Sequence, residues 1–267
     1  MTGWYEGHRT EPNGNPCGPL VIVTVVGLGK IGLPLAVQCA ERGHRVCGAD
    51  IDAAVVGRVN RGAEPFPVEA RLAEKLAAVV GTGRLTATTD TSAAVAASDA
   101  VVVAVPLTVD DDGTPDFRAL DAATADIGRG LHPDTLISYE TTLPVGTTRE
   151  RWKPMLERMS GLTEGASFSV VHSPEQALTG PVLAELRRYP KLVGGLSEIG
   201  AKHAVAFYEE VLEFDEHSDL VRGNRVWDLG SAEAAELARL AETTHCDVNV
   251  GLANQLARFT ADRGPTS

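Results

Sequence analysis

The apolar positions of this chain follow two periods. Short apolar, often β-branched runs recur at Val21–Val26, Arg45–Ala49, Leu85–Thr88, Ala100–Val105, Thr135–Tyr139, Phe168–His172 and Leu192–Gly194. Near-continuous runs of this kind suit strands covered on both faces. Between them the spacing turns helical, which predicts helices over Ile31–Gly43, Ala53–Asn60, Glu69–Val79, Thr91–Ala97, Phe117–Gly128, Thr147–Met159 and Ser197–Leu212. The alternation predicts an α/β fold, a doubly wound, Rossmann-like parallel sheet with right-handed crossovers. From Ser231 to about Asp262 the pattern changes. Leu237, Leu240, Ala241, Thr244, Val248, Leu252 and Leu256 keep a three-four spacing, which predicts one long C-terminal helix with an apolar stripe. A stripe of that length, left uncovered, predicts a homodimer built on residues 231–262. The expected organisation is a flexible, Gly/Pro/Asn-rich arm over 1–19, a Rossmann-like domain over 20–230, and a dimerisation helix with its tail over 231–267.

The first strand runs straight into Gly27, Gly29 and Gly32, spaced G-x-G-x-x-G, then a helix, a second strand and Asp50. In a dinucleotide-binding unit the first glycine permits the tight turn. The second lets backbone approach a pyrophosphate, and the third lets helix pack on strand. The helix N-terminus faces the phosphate charge. An acid roughly 20 residues beyond the last glycine accepts hydrogen bonds from the adenosine ribose and repels a 2′-phosphate, so NAD is expected over NADP.

Composition narrows the partners. The formal net charge is -12 with no Lys/Arg block, which argues against nucleic acid and anionic membranes. No apolar run is long enough to span a bilayer. The cysteines Cys17, Cys39, Cys47 and Cys246 form no C-x-x-C pair, which points to a reducing cytoplasm. Asp110, Asp111 and Asp112 before Gly113 read as a solvated loop, and no metal site is expected. His172, on a strand end, reads as a structural histidine.

With these residues in hand, the chain resembles the UDP-glucose/GDP-mannose (nucleotide-sugar) dehydrogenase family, most closely the branch acting on N-acetylated hexosamines. The matching stretches are VVGLGKIGLPLA, VCGADID, NRGAEPFPVE from Asn60, VAVPL, PDF at Pro115, YETTLPVGTT from Tyr139, HSPEQAL from His172, KLVGG at Lys191 and the helix AELARLAETTHCDVNVGLANQ. Family members oxidise a sugar C6 alcohol twice with NAD and a cysteine thiohemiacetal, and dimerise through the long helix. The resemblance therefore implies NAD, a sugar-nucleotide substrate and a cofactor site of Gly27, Gly29, Lys30, Ile31, Gly32, Asp50, Val105, Pro106, Thr142 and Glu175. It also implies a catalytic set of Glu175, which matches the family's active-site glutamate, with Thr142 and Tyr139 beside it.

The departures shape the functional expectation. The family lysine of the long helix is Arg239 here, which cannot give up its proton near neutrality. The family asparagine is Thr243, and the arginine of P-E-R is Gln176. His245 is the candidate to replace the lysine in proton transfer. The sequence ends before the segment bearing the family's cysteine and its C-terminal nucleotide-sugar domain. From these departures the first expectation is a redox-neutral NAD enzyme, a dehydratase, lyase or epimerase acting on a sugar or nucleoside hydroxyl. The alternative is a two-electron nucleotide-sugar dehydrogenase, and the third reading is an inactive NAD-binding partner subunit.

Overall fold

A computed structural model describes residues 9–10, 16–17, 20–66, 71–175, 186–216 and 222–263. The chain first forms a short antiparallel ladder, β1 (Arg9–Thr10) with β2 (Pro16–Cys17); the rest of the arm expected over 1–19 lies outside the described residues. The main sheet is built from β3 (Ile22–Val26), β4 (Arg45–Ala49), β5 (Leu85–Thr88), β6 (Ala100–Val103), β9 (Leu136–Tyr139), β10 (Ser169–His172), β11 (Lys191–Gly195) and β12 (Val226–Asp228). Its order is β12-β11-β10-β9-β6-β3-β4-β5. Six of these strands, in the order β5-β4-β3-β6-β9-β10, are parallel neighbours and reproduce the doubly wound arrangement. Strand order reverses between β3 and β6, and such an edge is where open α/β sheets bind ligands.

Apolar packing lies on both faces of the sheet, as the unbroken strand runs require. On β3, Val23 and Val25 face a core that includes Leu33 and Val37 of α1 (Gly32–Glu41), Val59 of α2 (Ala53–Asn60), Leu76 of α3 (Leu72–Gly81) and Phe207 and Tyr208 of α7 (Glu198–Val211). Val26 faces the opposite core, with Val95 of α4 (Thr91–Val95), Leu120 and Ile127 of α5 (Arg118–Gly130), Leu156 of α6 (Lys153–Ser160) and Ala232 of α8 (Ala232–Arg263). Capping residues start the helices where the sequence supplies them. Asp52 accepts from Ala54 N at 2.7 Å, Asp90 from Ala93 N at 2.9 Å and Ser197 from Gly200 N at 3.2 Å.

Several expectations need correction. The sheet is not wholly parallel: β11 runs antiparallel to β10. An apolar run marks a strand but not its direction. Leu192–Gly194 is not the last strand, because β12 pairs beyond it; three residues, one of them half-buried, carry too little periodicity to be read. The acidic stretch is the exposed loop expected, and it forms the turn of a hairpin, β7 (Thr108–Val109) with β8 (Pro115–Asp116). Asp110 Oδ1 accepts from Asp112 N at 3.1 Å and Thr114 N at 2.8 Å, the work of a turn residue. The helix expected from Thr147 opens instead as a π-helical turn over Thr148–Trp152. Pro154, at the start of α6, has no N–H to donate back to Glu150, which favours the wider turn. The beginning of the helix expected at Glu69 lies outside the described residues. Among the described residues, no helix is long and apolar enough to cross a membrane.

Candidate active site

At the switch point the chain meets itself through backbone. Gly27 N donates to Ala49 O at 2.8 Å, and Ala104 N to Val26 O at 2.8 Å. Gly27 has φ +92°, a region costly for any residue with a Cβ. At Gly32 a Cβ would lie 1.9 Å from Gly27 O, so turn and helix touch only because this residue has none. Above Gly29, by contrast, nothing lies within 4 Å of an added Cβ. That open cradle over a helix N-terminus fits a pyrophosphate. Asp50 closes the turn: its Oδ2 accepts from Leu28 N at 2.7 Å and its Oδ1 from Asp52 N at 2.9 Å. Each oxygen keeps a lone pair for a ribose hydroxyl. Ile51, which the sequence reading passed over, is 98% exposed beside this acid and offers a flat aliphatic surface. The residues therefore fit NAD, the group the motif implies.

The loops after β6, β9 and β10 line up beside this turn. Glu140 N donates to Val103 O at 2.9 Å, Ser173 N to Tyr139 O at 2.9 Å and Glu175 N to Glu140 O at 3.1 Å. Thr141 Oγ1 donates to Val105 O at 2.6 Å, which pins the Val105–Pro106 turn to the Thr142 segment. The other end of that segment is held by Glu236, a wholly buried carboxylate of α8. Glu236 Oε2 accepts from Gly146 N at 2.6 Å; its Oε1 accepts from Thr148 N at 3.0 Å and Thr148 Oγ1 at 2.7 Å. Burial raises the Glu236 pKa, and the bonds from Thr148 and Gly146 oppose that.

Behind Glu175 lies a buried charge cluster. Lys191 Nζ sits 2.9 Å from Glu140 Oε2 and 3.3 Å from Glu175 Oε2. Tyr208 donates its hydroxyl to Glu140 Oε1 at 2.7 Å, so the Ser138 hydroxyl, 2.7 Å away, donates to Tyr208. Burial works against the Lys191 ammonium, but Glu140 and Glu175 outweigh it and hold its pKa above the usual value. Burial raises the Glu140 carboxyl, offset only in part by Lys191. Lys191, Tyr208 and Glu236 are absent from the sequence-derived set. The available signal was a lysine opening the apolar strand KLVGG, where a strand covered on both faces has no place for an unpaired charge.

The remaining sequence-derived residues part company. Tyr139 is fully buried, stacks on Trp152 at 4.4 Å and shares a hydrogen bond of 2.9 Å with Thr124 Oγ1. It faces the α5 side of the sheet, opposite to Ser138, so its phenol is engaged away from Glu175. Arg239 is buried on the first turns of α8 and reaches Glu242 through Nη1 at 3.1 Å. Its Nε, and Thr243 Oγ1 one turn on, find no hydrogen-bond partner among the described residues. His245 is exposed and lies 3.0 Å from the Asn249 side chain, on a different face of α8 from Arg239. Gln176 lies outside the described residues. Among those described, no cluster of His, Cys, Asp or Glu could hold a metal ion.

Comparison with known proteins fits this geometry. Residues 21–212 match the UDP-glucose/GDP-mannose dehydrogenase family, NAD binding domain. The UDP-N-acetyl-D-mannosamine dehydrogenase of Pyrococcus horikoshii is 34% identical over 244 residues, covering 91% of this chain and 54% of that protein. Its Escherichia coli K12 counterpart is 33% identical over 248 residues, with 91% and 55% covered. The solved structure of the Pyrococcus horikoshii enzyme superposes with a TM-score of 0.80 at 31% identity, over 89% of this chain and 53% of that one. The chain thus spans about half the length of the curated relatives it matches. These relatives are dehydrogenases, which overturns the expectation of a redox-neutral dehydratase, lyase or epimerase and favours the two-electron alternative. That expectation leaned on Arg239 in place of the family lysine and on where the sequence ends, and a matched half of a longer enzyme says nothing about the other half's chemistry. NAD is the cofactor, and the chain belongs to the UDP-glucose/GDP-mannose dehydrogenase family, of which it carries the NAD-binding domain.

Proposed function

We propose that this chain takes a hydride from a hydroxyl-bearing carbon of a nucleotide-linked sugar and delivers it to NAD. The observation that supports this best is the backbone ladder that sets the ends of β3, β6, β9 and β10 side by side, with the open Gly29 cradle at one end and Glu175 at the other. NAD supplies the hydride acceptor. Glu175 takes the hydroxyl proton as the C–H bond breaks, and Thr142 orients that hydroxyl. Arg239, permanently charged and with spare donor capacity, stabilises the alkoxide that develops. The balance is an alcohol oxidised to a carbonyl, NAD reduced to NADH and one proton left on Glu175. The substrate favoured by the relatives is a UDP-N-acetylhexosamine of the mannosamine type. Cys39, Cys47 and Cys246 are free thiols, which supports a cytoplasmic setting.

The partner we propose is a second copy of this chain, paired through α8. Leu237, Val248, Leu252, Leu256 and Phe259 are all more than half exposed, and a second copy of this helix would cover them in a two-fold pair. The test of the function is NADH absorbance on mixing the chain with NAD and UDP-N-acetyl-D-mannosamine, with calorimetry for NAD against NADP. NADH formation that Glu175→Gln abolishes supports the proposal. NAD binding with turnover unaffected by Glu175→Gln removes Glu175 from it. Light scattering at micromolar concentration reads the dimer, and a clean monomer overturns that part.

A further inference from the structure

A lysine stands where the α7 face of the sheet calls for an apolar side chain. Lys191 opens β11, and its residue is only 5% exposed. Replacing a buried ion pair by apolar residues often costs nothing, so stability alone is a weak reason for such a group. The arrangement around it is lopsided. On one side Glu140 is enclosed: Tyr208 holds Oε1, the Lys191 ammonium faces Oε2, and the Glu140 side chain is 1% exposed. On the other side Glu175 has an 11% exposed side chain and its backbone N–H is tied to Glu140 O. The ammonium also lies 5.0 Å from the centre of the Tyr208 ring, which limits its freedom on a third side. A flexible four-carbon stem is thus fixed by a closed anchor, and its remaining contact points at the one carboxylate of the pair that faces outward.

We infer that Lys191, anchored by Glu140 and Tyr208, is a positioning residue that holds the Glu175 carboxylate in the orientation in which it accepts the substrate's proton. This rests on the reading of Glu175 as the base. Lys191 itself touches no reacting atom. Glu140 and Tyr208 act one step further back by keeping the ammonium from turning away, and Ser138 fixes the Tyr208 hydroxyl in turn. A carboxylate on a loop has several rotamers open to it, and a donor of fixed position selects one.

The test uses the full chain with NAD bound. Removing Lys191 alone leaves Glu140 buried without its cation, so Lys191→Met is paired with Lys191→Met/Glu140→Gln, which keeps the volume and removes the Glu140 charge together with that cation. Crystal structures of the NAD complexes should show Glu175 in one conformer in the parent and spread over several in both variants. Its conformer should be single again in Lys191→Arg. In kinetics, the double variant should lose about a hundredfold in kcat with little change in KM, the size expected of a displaced catalytic group. NAD affinity should stay within about threefold, since the Gly27–Gly32 turn is untouched. A single, parent-like Glu175 conformer in the double variant overturns the inference, as does an unchanged kcat there with Glu175→Gln inactive. The base reading fails by a different result, turnover in Glu175→Gln, and the conformer count is read without any turnover.

Discussion

Two stretches at one sheet edge prepare for charge by opposite means. The turn from Gly27 to Gly32 works with backbone: two glycines without room for a Cβ or with positive φ, a helix N-terminus, and one acid that closes the loop. The ends of β9, β10 and β11 work with side chains: Glu140, Glu175, Lys191 and Tyr208 form a buried ionic set on four separate elements. The first is a local structure and tolerates no added atoms at its tightest point. The second is a long-range structure and tolerates no unbalanced charge. Each breaks in its own way, and each can be broken separately.

The largest effect is expected within the backbone site. Gly32→Ala places a methyl 1.9 Å from Gly27 O, where only backbone could move. It should cost about 4 kcal/mol or more, the range reserved for strained or overpacked positions, measured by urea melts. Gly29→Ala meets nothing within 4 Å, so stability should change by less than about 0.5 kcal/mol. Its methyl enters the cradle instead, and calorimetry should show NAD binding at least roughly tenfold weaker. Equal melting losses in the two variants would end the distinction between a packing glycine and a ligand glycine.

That contrast also explains what the sequence showed beforehand. Gly27, Gly29, Gly32 and Asp50 are legible because their spacing is fixed within one βαβ unit, where each residue type answers a local steric or polar demand. The strands β4 and β5 and the helix α2 are legible with their observed bounds for the same reason. The Lys191 cluster is not: Glu140 and Tyr208 are brought together across 68 positions of chain, and no local pattern records a pairing of that range. Tyr139 shows the converse. Its place next to Glu140 in sequence suggests a shared site, but successive residues of a strand face opposite ways, and its phenol belongs to Thr124. His245 likewise is near Arg239 in sequence and on another face of α8 in space. The antiparallel β11 was unreadable because hydrophobic pattern has no direction.

The next effect is expected in acid stability, on the side-chain half. His172 is wholly buried, pairs with Tyr139 in register, and has neither ring nitrogen bonded among the described residues. Burial first, and the nearby Lys191 charge second, lower its pKa from 6.5 to about 3. Between those values the unfolded chain binds a proton that the folded chain refuses, so stability falls as the pH drops through this window. The slope is at most about 1.4 kcal/mol per pH unit. Glu140 and Glu236, whose pKa values are raised, act in the opposite sense and gain stability on acidification. His172→Leu should therefore flatten the fall in melting temperature between neutral and acidic buffer. A variant that loses stability on acidification as steeply as the parent would show that other groups set the acid limit.

A smaller effect is expected at Glu236, which ties α8 to the segment that follows Thr142. Its two oxygens take three hydrogen bonds. Glu236→Gln keeps one acceptor and leaves a buried N–H without a partner, at a cost of about 1–2 kcal/mol. Faster amide exchange at Gly146 and Thr148, with Gly27 unchanged, would place the effect where the bonds are. Exchange unchanged at both positions would mean the loop is held by something else.

The smallest effect in stability sharpens the comparison most, because Asp50 is the one place where the backbone site depends on a side-chain charge. Both its oxygens are already used, one on Leu28 N and one on Asp52 N. Asp50→Asn retains a single acceptor oxygen and turns an NH2 toward the other N–H. The loss should be about 1 kcal/mol in urea melts, one neutral hydrogen bond. Its effect on ligand choice should be larger than its effect on folding. The carboxylate accepts from the ribose hydroxyls of NAD and repels the 2′-phosphate of NADP, so removing the charge weakens the first ligand and relieves the second. Calorimetry should find the parent preferring NAD, with the preference reduced about tenfold in Asp50→Asn, a difference of about 1.4 kcal/mol. If the variant keeps the parent's preference, discrimination lies in the shape of the turn and not in this charge, and the backbone half of the site would need no side-chain charge at all.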